Sequence, residues 1–272
     1  MRTNSKRRIR AHFYFEGSFV RIHTIQLITA NLLLSTLAVL SADAPVSTSK
    51  PIRVLFIGNS LTTVNNLPRV LTALAEHTTP PTAFDAVTVA TGGFTLEKHW
   101  LGEKAQKKIQ EGGWDYVVLQ DNSSSPKLKS DSMKTYARLF DAEIKKANAK
   151  GLLYMTWALQ KTPDDQAIIS AAYEDLGKEL NEKVVPVGLA RVNAFKGDAT
   201  VNLYVKDGKH PTPAATYLAA CTFYASITGH SSKSSTTKVT DAKDPKKVLV
   251  DISAEQAAYF QKIADETVGL RN

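Results

Sequence analysis

Ile52-Arg-Val-Leu-Phe-Ile-Gly-Asn-Ser-Leu-Thr-Thr63 decides how the rest of the chain is read. Val54 to Ile57 is an apolar run of strand length that breaks at Gly58 and passes into polar Asn59 and Ser60. Leu67 to His77 then has apolar spacing that predicts a helix. A serine therefore stands where a first, buried strand hands over to a first helix. In open α/β sheets, ligands bind outside the carboxyl ends of the strands. Taken alone, Ser60 reads as a turn serine capping a helix. A chemical reading needs a base, a group to orient it and a pocket for negative charge.

Working outward, the same alternation repeats. Ala86 to Ala90 reads as a second strand, ended by Thr91-Gly92-Gly93, and Leu96 to Gln110 as a charged helix closed by Gly112-Gly113. Asp115 to Gln120 is a third strand, followed by the polar loop Asp121 to Pro126. Ser130 to Lys150 is a long helix with Gly151 at its end, and Leu152 to Trp157 a fourth strand. Asp164 to Leu180 opens on an acidic turn, as the helix dipole favours. Val184 to Val187 is a short fifth strand, and Leu189 to Phe195 a helix. Strands alternating with helices predict a five-stranded parallel sheet covered on both faces, a doubly wound, flavodoxin-like α/β/α sandwich. Ser231 to Lys247, rich in Ser, Thr, Lys and Asp, reads as an exposed loop. A last helix, 254–268, follows it with Ala257, Phe260, Ile263, Ala264 and Val268 on one face.

The 272-residue chain carries a formal net charge of +8. Residues 1–44 hold six of its 34 basic and two of its 26 acidic residues, so the remainder carries only +4. No long basic stripe with interleaved aromatics remains, which argues against nucleic acid as a partner. Within 1–44, a basic start precedes the apolar run Ile25 to Leu40 and the small-x-small pattern Ala42-Asp43-Ala44. The run is shorter than the roughly 20 residues a comfortable membrane span takes. Residues 1–44 therefore read as a signal peptide, and 45–272 as one exported domain whose core covers about 52–228. The alternative is an uncleaved N-terminal anchor. The single cysteine, Cys221, sits in an apolar helical run and reads as a buried structural thiol. No His, Cys, Asp and Glu cluster has metal-ligand spacing, and no phosphate-binding glycine motif is present, so neither metal nor cofactor is implied.

Near the end of the core stands Asp207-Gly-Lys-His-Pro-Thr-Pro213. Thr212 can cap a following helix and Pro213 suits its first position, so Asp207 and His210 lie on the loop before that helix. A carboxylate three residues from an imidazole can accept from one ring nitrogen and leave the other free as a base.

With that pair in view, Gly58-Asn-Ser-Leu61 after the first strand resembles the GDSL block of the SGNH hydrolases, with Asn59 where the family usually has Asp. Asp207-Gly-Lys-His210 resembles that family's D-x-x-H block, and Gly92-Gly93 its glycine block. Gln120-Asp-Asn122 stands where the family usually has G-x-N-D. The resemblance covers about residues 52–228 and implies an ester hydrolase. Ser60 would be the nucleophile, His210 the base and Asp207 its orienter. The oxyanion donors would be the backbone N–H groups of Ser60 and Gly93 and a side-chain amide from Asn122 or Gln120. Small-molecule or carbohydrate esters are the implied partners. The competing class is a non-catalytic sugar-binding module on the same fold.

Overall fold

The computed structural model describes residues 50–270. The leader reading of residues 1–44 lies outside the described residues. Among those described, no helix is long and apolar enough to cross a membrane.

Strand β1, Ile52–Gly58, pairs in parallel with β2, Phe84–Ala90, on one side and with β3, Tyr116–Leu119, on the other. Strands β4, Lys150–Tyr154, and β5, Lys183–Val185, extend the sheet in the order β2-β1-β3-β4-β5. This is the doubly wound, flavodoxin-like arrangement. Strand order reverses between β1 and β3, so the crevice outside their carboxyl ends is the topological switch point where such folds bind ligands. Ser60 follows β1 and Gln120 follows β3, so both stand at that crevice.

The strand period of two sorts the core into two layers. Val54, Phe56, Val118, Leu152 and Tyr154 face one side, and Leu55, Ile57, Val117, Leu119 and Leu153 the other. Over the second layer lie α3 (Leu96–Leu101), α4 (Lys104–Gln110), α6 (Ser130–Lys146) and α7 (Asp165–Leu180). Over the first lie α2 (Leu67–Ala75), α8 (Val187–Gly197), α9 (Pro213–Thr228) and α10 (Ala254–Thr267). Two short turns of helix, α1 (Ser60–Thr63) and α5 (Ser125–Leu128), follow β1 and β3 directly. Phe223 of α9 meets Phe56 and Tyr154 edge-on, with ring centroids 5.4 and 4.9 Å apart. Such contacts contribute about 0.5–1.5 kcal/mol each beyond their burial and seat α9 on the sheet centre.

Three sequence expectations change. The helix expected over 96–110 is two helices, because Gly102 ends α3 and Glu103 turns left-handed at φ 57°. The helix expected over 130–150 stops at Lys146, and Asn148 at φ 54° turns the chain, so Gly151 lies inside β4 instead of capping the helix. Asparagine tolerates that conformation better than most residues. The third correction concerns 231–247. Its polar composition signalled an exposed loop, but Ser232 is fully buried and Val239 nearly so. Ser232 N and Oγ both donate to Asp265 Oδ1 at 2.9 Å, Gln261 Nε2 donates to Ser234 O at 2.9 Å, and Ser234 Oγ donates to Leu74 O at 3.0 Å. Strand β6, Lys238–Thr240, then pairs antiparallel with β7, Val248–Asp251. The segment is a strap across α2 and α10. Hydrogen bonds hold it, and hydrophobic patterning does not register those. Its turn, 242–247, is exposed throughout, and Ser231, Lys233, Ser235 and Lys238 face solvent between the buried positions.

Candidate active site

The turn after β1 is built by Asn59. Its Oδ1 accepts from Leu61 N at 3.1 Å, so Asn59, not Ser60, is the helix cap. Its Nδ2 donates to Phe94 O at 2.8 Å, a bond an aspartate in this place could not make. The substitution of Asn for Asp thereby fastens the Gly92-Gly93 loop to the Ser60 turn. Ser60 itself is the first residue of α1, and its N–H makes no hydrogen bond among the described residues, whereas those of Leu61, Thr62 and Thr63 all donate to Asn59.

Facing it is the loop before α9. Asp207 Oδ1 accepts from the backbone N–H groups of Lys209 and His210 at 2.8 and 2.9 Å. Its Oδ2 lies 2.5 Å from His210 Nδ1. These bonds, that of the His210 ring first, hold the Asp207 carboxyl down at about 2. His210 Nε2 lies 2.9 Å from Ser60 Oγ. Ser60, His210 and Asp207 therefore form one hydrogen-bonded chain, closed between residues 150 apart in sequence. With Nδ1–H donating to the carboxylate, Nε2 carries the lone pair and accepts from the serine hydroxyl. That arrangement can take up the hydroxyl proton and return it.

The expected donors for an oxyanion separate into two groups. Gly93, at φ 72°, turns the exposed 91–94 loop, and its N–H makes no hydrogen bond among the described residues. Asn122 Oδ1 accepts from Ser124 N and Oγ at 3.2 and 3.1 Å, which leaves its Nδ2 undirected to any described acceptor. Gln120 is different. It is fully buried. Its Oε1 accepts from Asn59 N and Thr62 Oγ1, both at 2.9 Å, and its Nε2 donates to Asp121 O. The Gln120 amide is used up in bracing the Ser60 turn, so of the two expected amides only that of Asn122 is left with an unengaged N–H group among the described residues.

The same brace explains Gly58. A Cβ there would stand 2.5 Å from Gln120 Oε1 and 2.7 Å from Thr62 Oγ1. Gly58→Ala is expected to cost about 1–3 kcal/mol by overpacking. Gly92→Ala, whose Cβ would meet nothing within 4 Å, serves as the neutral control, and urea denaturation of both reads the difference.

Two supporting residues carried no role in the sequence reading, in which His99 had no partner at ligand spacing. His99, 4% exposed, places Nε2 2.6 Å from Gly58 O. Because that oxygen only accepts, Nε2 carries the proton, and burial favours the neutral ring. Asn65, left-handed at φ 58°, donates Nδ2 to Pro211 O at 3.1 Å and to Thr216 Oγ1 at 3.0 Å. It ties the serine side to the residue after His210. The Asn65-Asn66 pair was the one available signal, since Asn is the non-glycine residue that most readily turns left-handed. Trp157, three residues beyond β4, is 2% exposed and donates Nε1 to Lys209 O at 2.9 Å, so it supports the His210 loop from behind. Among the described residues no His, Cys, Asp and Glu group could hold a metal ion.

No family model matches the sequence, and no curated protein matches it. Solved structures do. A protein from Slackia heliotrinireducens assigned to the SGNH hydrolases superposes with a TM-score of 0.57 at 26% identity, over 65% of this chain and 100% of its own. The relationship is to the SGNH hydrolase superfamily. A DUF4886 family protein from Bacteroides uniformis matches with a TM-score of 0.60 at 20% identity, over 80% of this chain and 95% of its own. An acetylxylan esterase from Geobacillus stearothermophilus matches at 0.55 and 16% identity, over 68% and 97%. The SGNH fold therefore accounts for the sheet order.

Proposed function

We propose that the chain is a serine-type ester hydrolase. The observation that carries this reading is the Ser60–His210–Asp207 chain, with its 2.9 Å link between serine and histidine. Ser60 Oγ attacks the acyl carbon while His210 Nε2 takes its proton. The carbonyl electrons move onto oxygen, which receives hydrogen bonds from the N–H groups of Ser60 and Gly93 and from Asn122 Nδ2. Collapse breaks the ester C–O bond, and His210 returns the proton to the departing alkoxide. Water, deprotonated by the same nitrogen, then cleaves the acyl-enzyme to the carboxylic acid and free Ser60. Asp207 keeps Nδ1 protonated throughout and stabilises the imidazolium. Acetylated carbohydrate is the first substrate to try, because the fold is shared with acetylxylan esterases.

Turnover of p-nitrophenyl acetate and of acetylated xylooligosaccharide is the direct assay. A fluorophosphonate probe, read by mass spectrometry, is expected to modify the peptide containing Ser60. Absence of both turnover and adduct in a folded protein would leave only the binding-module reading. Export belongs to the same proposal. N-terminal sequencing of the secreted chain is expected to begin near residue 45, whereas an intact leader on a membrane-bound product supports the anchored alternative.

A further inference from the structure

A cavity of about 460 Å³ opens between the segment after β4 and helix α8. Neither Ser60, His210 nor Asp207 lines it. Its wall is a layered stack. The Arg191 guanidinium lies between the rings of Trp157 and Tyr204, 4.3 Å from each centroid. The Phe195 ring continues the stack on Tyr204 at 6.1 Å and 10°.

Arg191 is only 2% exposed. Its Nη2 donates to Leu203 O at 3.0 Å, while Nε and Nη1 are buried without an acceptor. No carboxylate pairs with it among the described residues. The one acid in the cavity lining, Asp164, is exposed, and so is the lining lysine, Lys196. Arginine stays protonated in proteins. Burying such a charge without a counter-ion is among the costliest things a chain does, and the usual remedy is an anionic partner. The two rings satisfy the faces of the guanidinium but not the N–H groups on its edge. The surface of the wall is mainly apolar, Pro163 and Val192 contributing with the rings, and the volume suits a small organic ligand.

We propose that this cavity binds a ring-bearing organic carboxylate, with the anion held by Arg191 and the ring against the aromatic wall. The orphaned Nε and Nη1 are its donors. Reaching them takes a side-chain rotation in the wall, of the kind binding commonly brings. The site does not depend on the hydrolase reading. It does sit behind the His210 loop, since Trp157 Nε1 donates to Lys209 O and Gln160 N donates to Gly208 O.

Benzoate is the probe, benzamide its uncharged counterpart, and acetate the anion without a ring. Calorimetric or NMR titration of the full chain is expected to show saturable benzoate binding, with benzamide and acetate each weaker by about tenfold or more. Val192→Trp, which fills the cavity from a half-buried position, is expected to abolish binding, and Phe195→Ala to weaken it severalfold. Arg191→Met is expected to remove the preference for benzoate over benzamide. Because Arg191 is buried and could be needed for folding, the Val192 and Phe195 variants stand without it. Ser60→Ala is expected to leave benzoate binding unchanged. Equal binding of benzoate and benzamide by wild type, no saturation, or undiminished binding by a folded Val192→Trp protein would each overturn the proposal. So would loss of binding in Ser60→Ala, which would put benzoate at the ester site.

Discussion

Alanine at position 60 is expected to lower kcat for a short acyl ester by about 10⁶, and asparagine at position 207 by about 10⁴, with both proteins folded. The Ser60 hydroxyl is half-buried and its only described partner is His210, so its removal disturbs no packing. It removes the atom that bonds to the acyl carbon, and what remains is the rate supplied by oxyanion donors and binding alone. The Asp207 change is finer. An asparagine oxygen can still accept from the N–H groups of Lys209 and His210, which keeps the loop turn. Its amide then faces Nδ1 as a donor, so Nδ1 must carry the lone pair and Nε2 the proton. The ring keeps its place and presents the wrong nitrogen to Ser60. Circular dichroism and urea midpoints establish that both variants fold, and p-nitrophenyl acetate kinetics read the loss.

The same carboxylate predicts a feature of the pH profile. With its carboxyl held at about 2, Asp207 is ionised at every pH where the protein is ordinarily assayed. Its folded value lies below its unfolded one, so its contribution to stability is present above the unfolded value and is lost only as pH falls through about 2. Any loss of wild-type activity at mildly acid pH therefore arises from another group.

What could be read from the sequence was what is local. The apolar run into Gly58-Asn59-Ser60 announces a strand and a turn, and Asp207 and His210 stand close enough to announce each other. The sheet order followed from alternation and handedness. What could not be read depends on approaches between distant segments. His99 meets a backbone carbonyl, Gly58 O, and no residue pattern marks a carbonyl as a partner. Asn65 reaches Pro211 O, 146 residues away, for the same reason invisibly. The strap over 231–247 failed because polarity signals exposure only where water, and not the protein, supplies the hydrogen bonds. Gln120 and Asn122 were indistinguishable by type: both are amides beyond β3. Only the closeness of Gly58 to Gln120 shows that one amide is buried in bracing.

That distinction gives the second large expectation, a dissociation between two neighbouring amides. Asn122→Ala is expected to lower kcat by about 10²–10³, the usual effect of losing one oxyanion donor, and to leave stability nearly unchanged, because Asn122 is half-buried and holds only Ser124. Gln120→Ala is expected to destabilise the fold by about 2–5 kcal/mol, because it orphans the buried Asn59 N–H and Asp121 C=O at about 1–3 kcal/mol each and leaves a void beside Gly58. Its activity falls as well, through Ser60, since a shift of about 1 Å in the nucleophile can cost 10²-fold. The two routes differ in rescue. An osmolyte such as TMAO, or a lower temperature, should recover activity in Gln120→Ala as the folded fraction and turn are restored, and should do nothing for Asn122→Ala. Urea denaturation paired with kcat and KM for each variant decides it. A stable Gln120→Ala protein that has lost kcat would return the oxyanion role to Gln120, and an Asn122→Ala protein with unchanged kcat would remove Asn122 from the site.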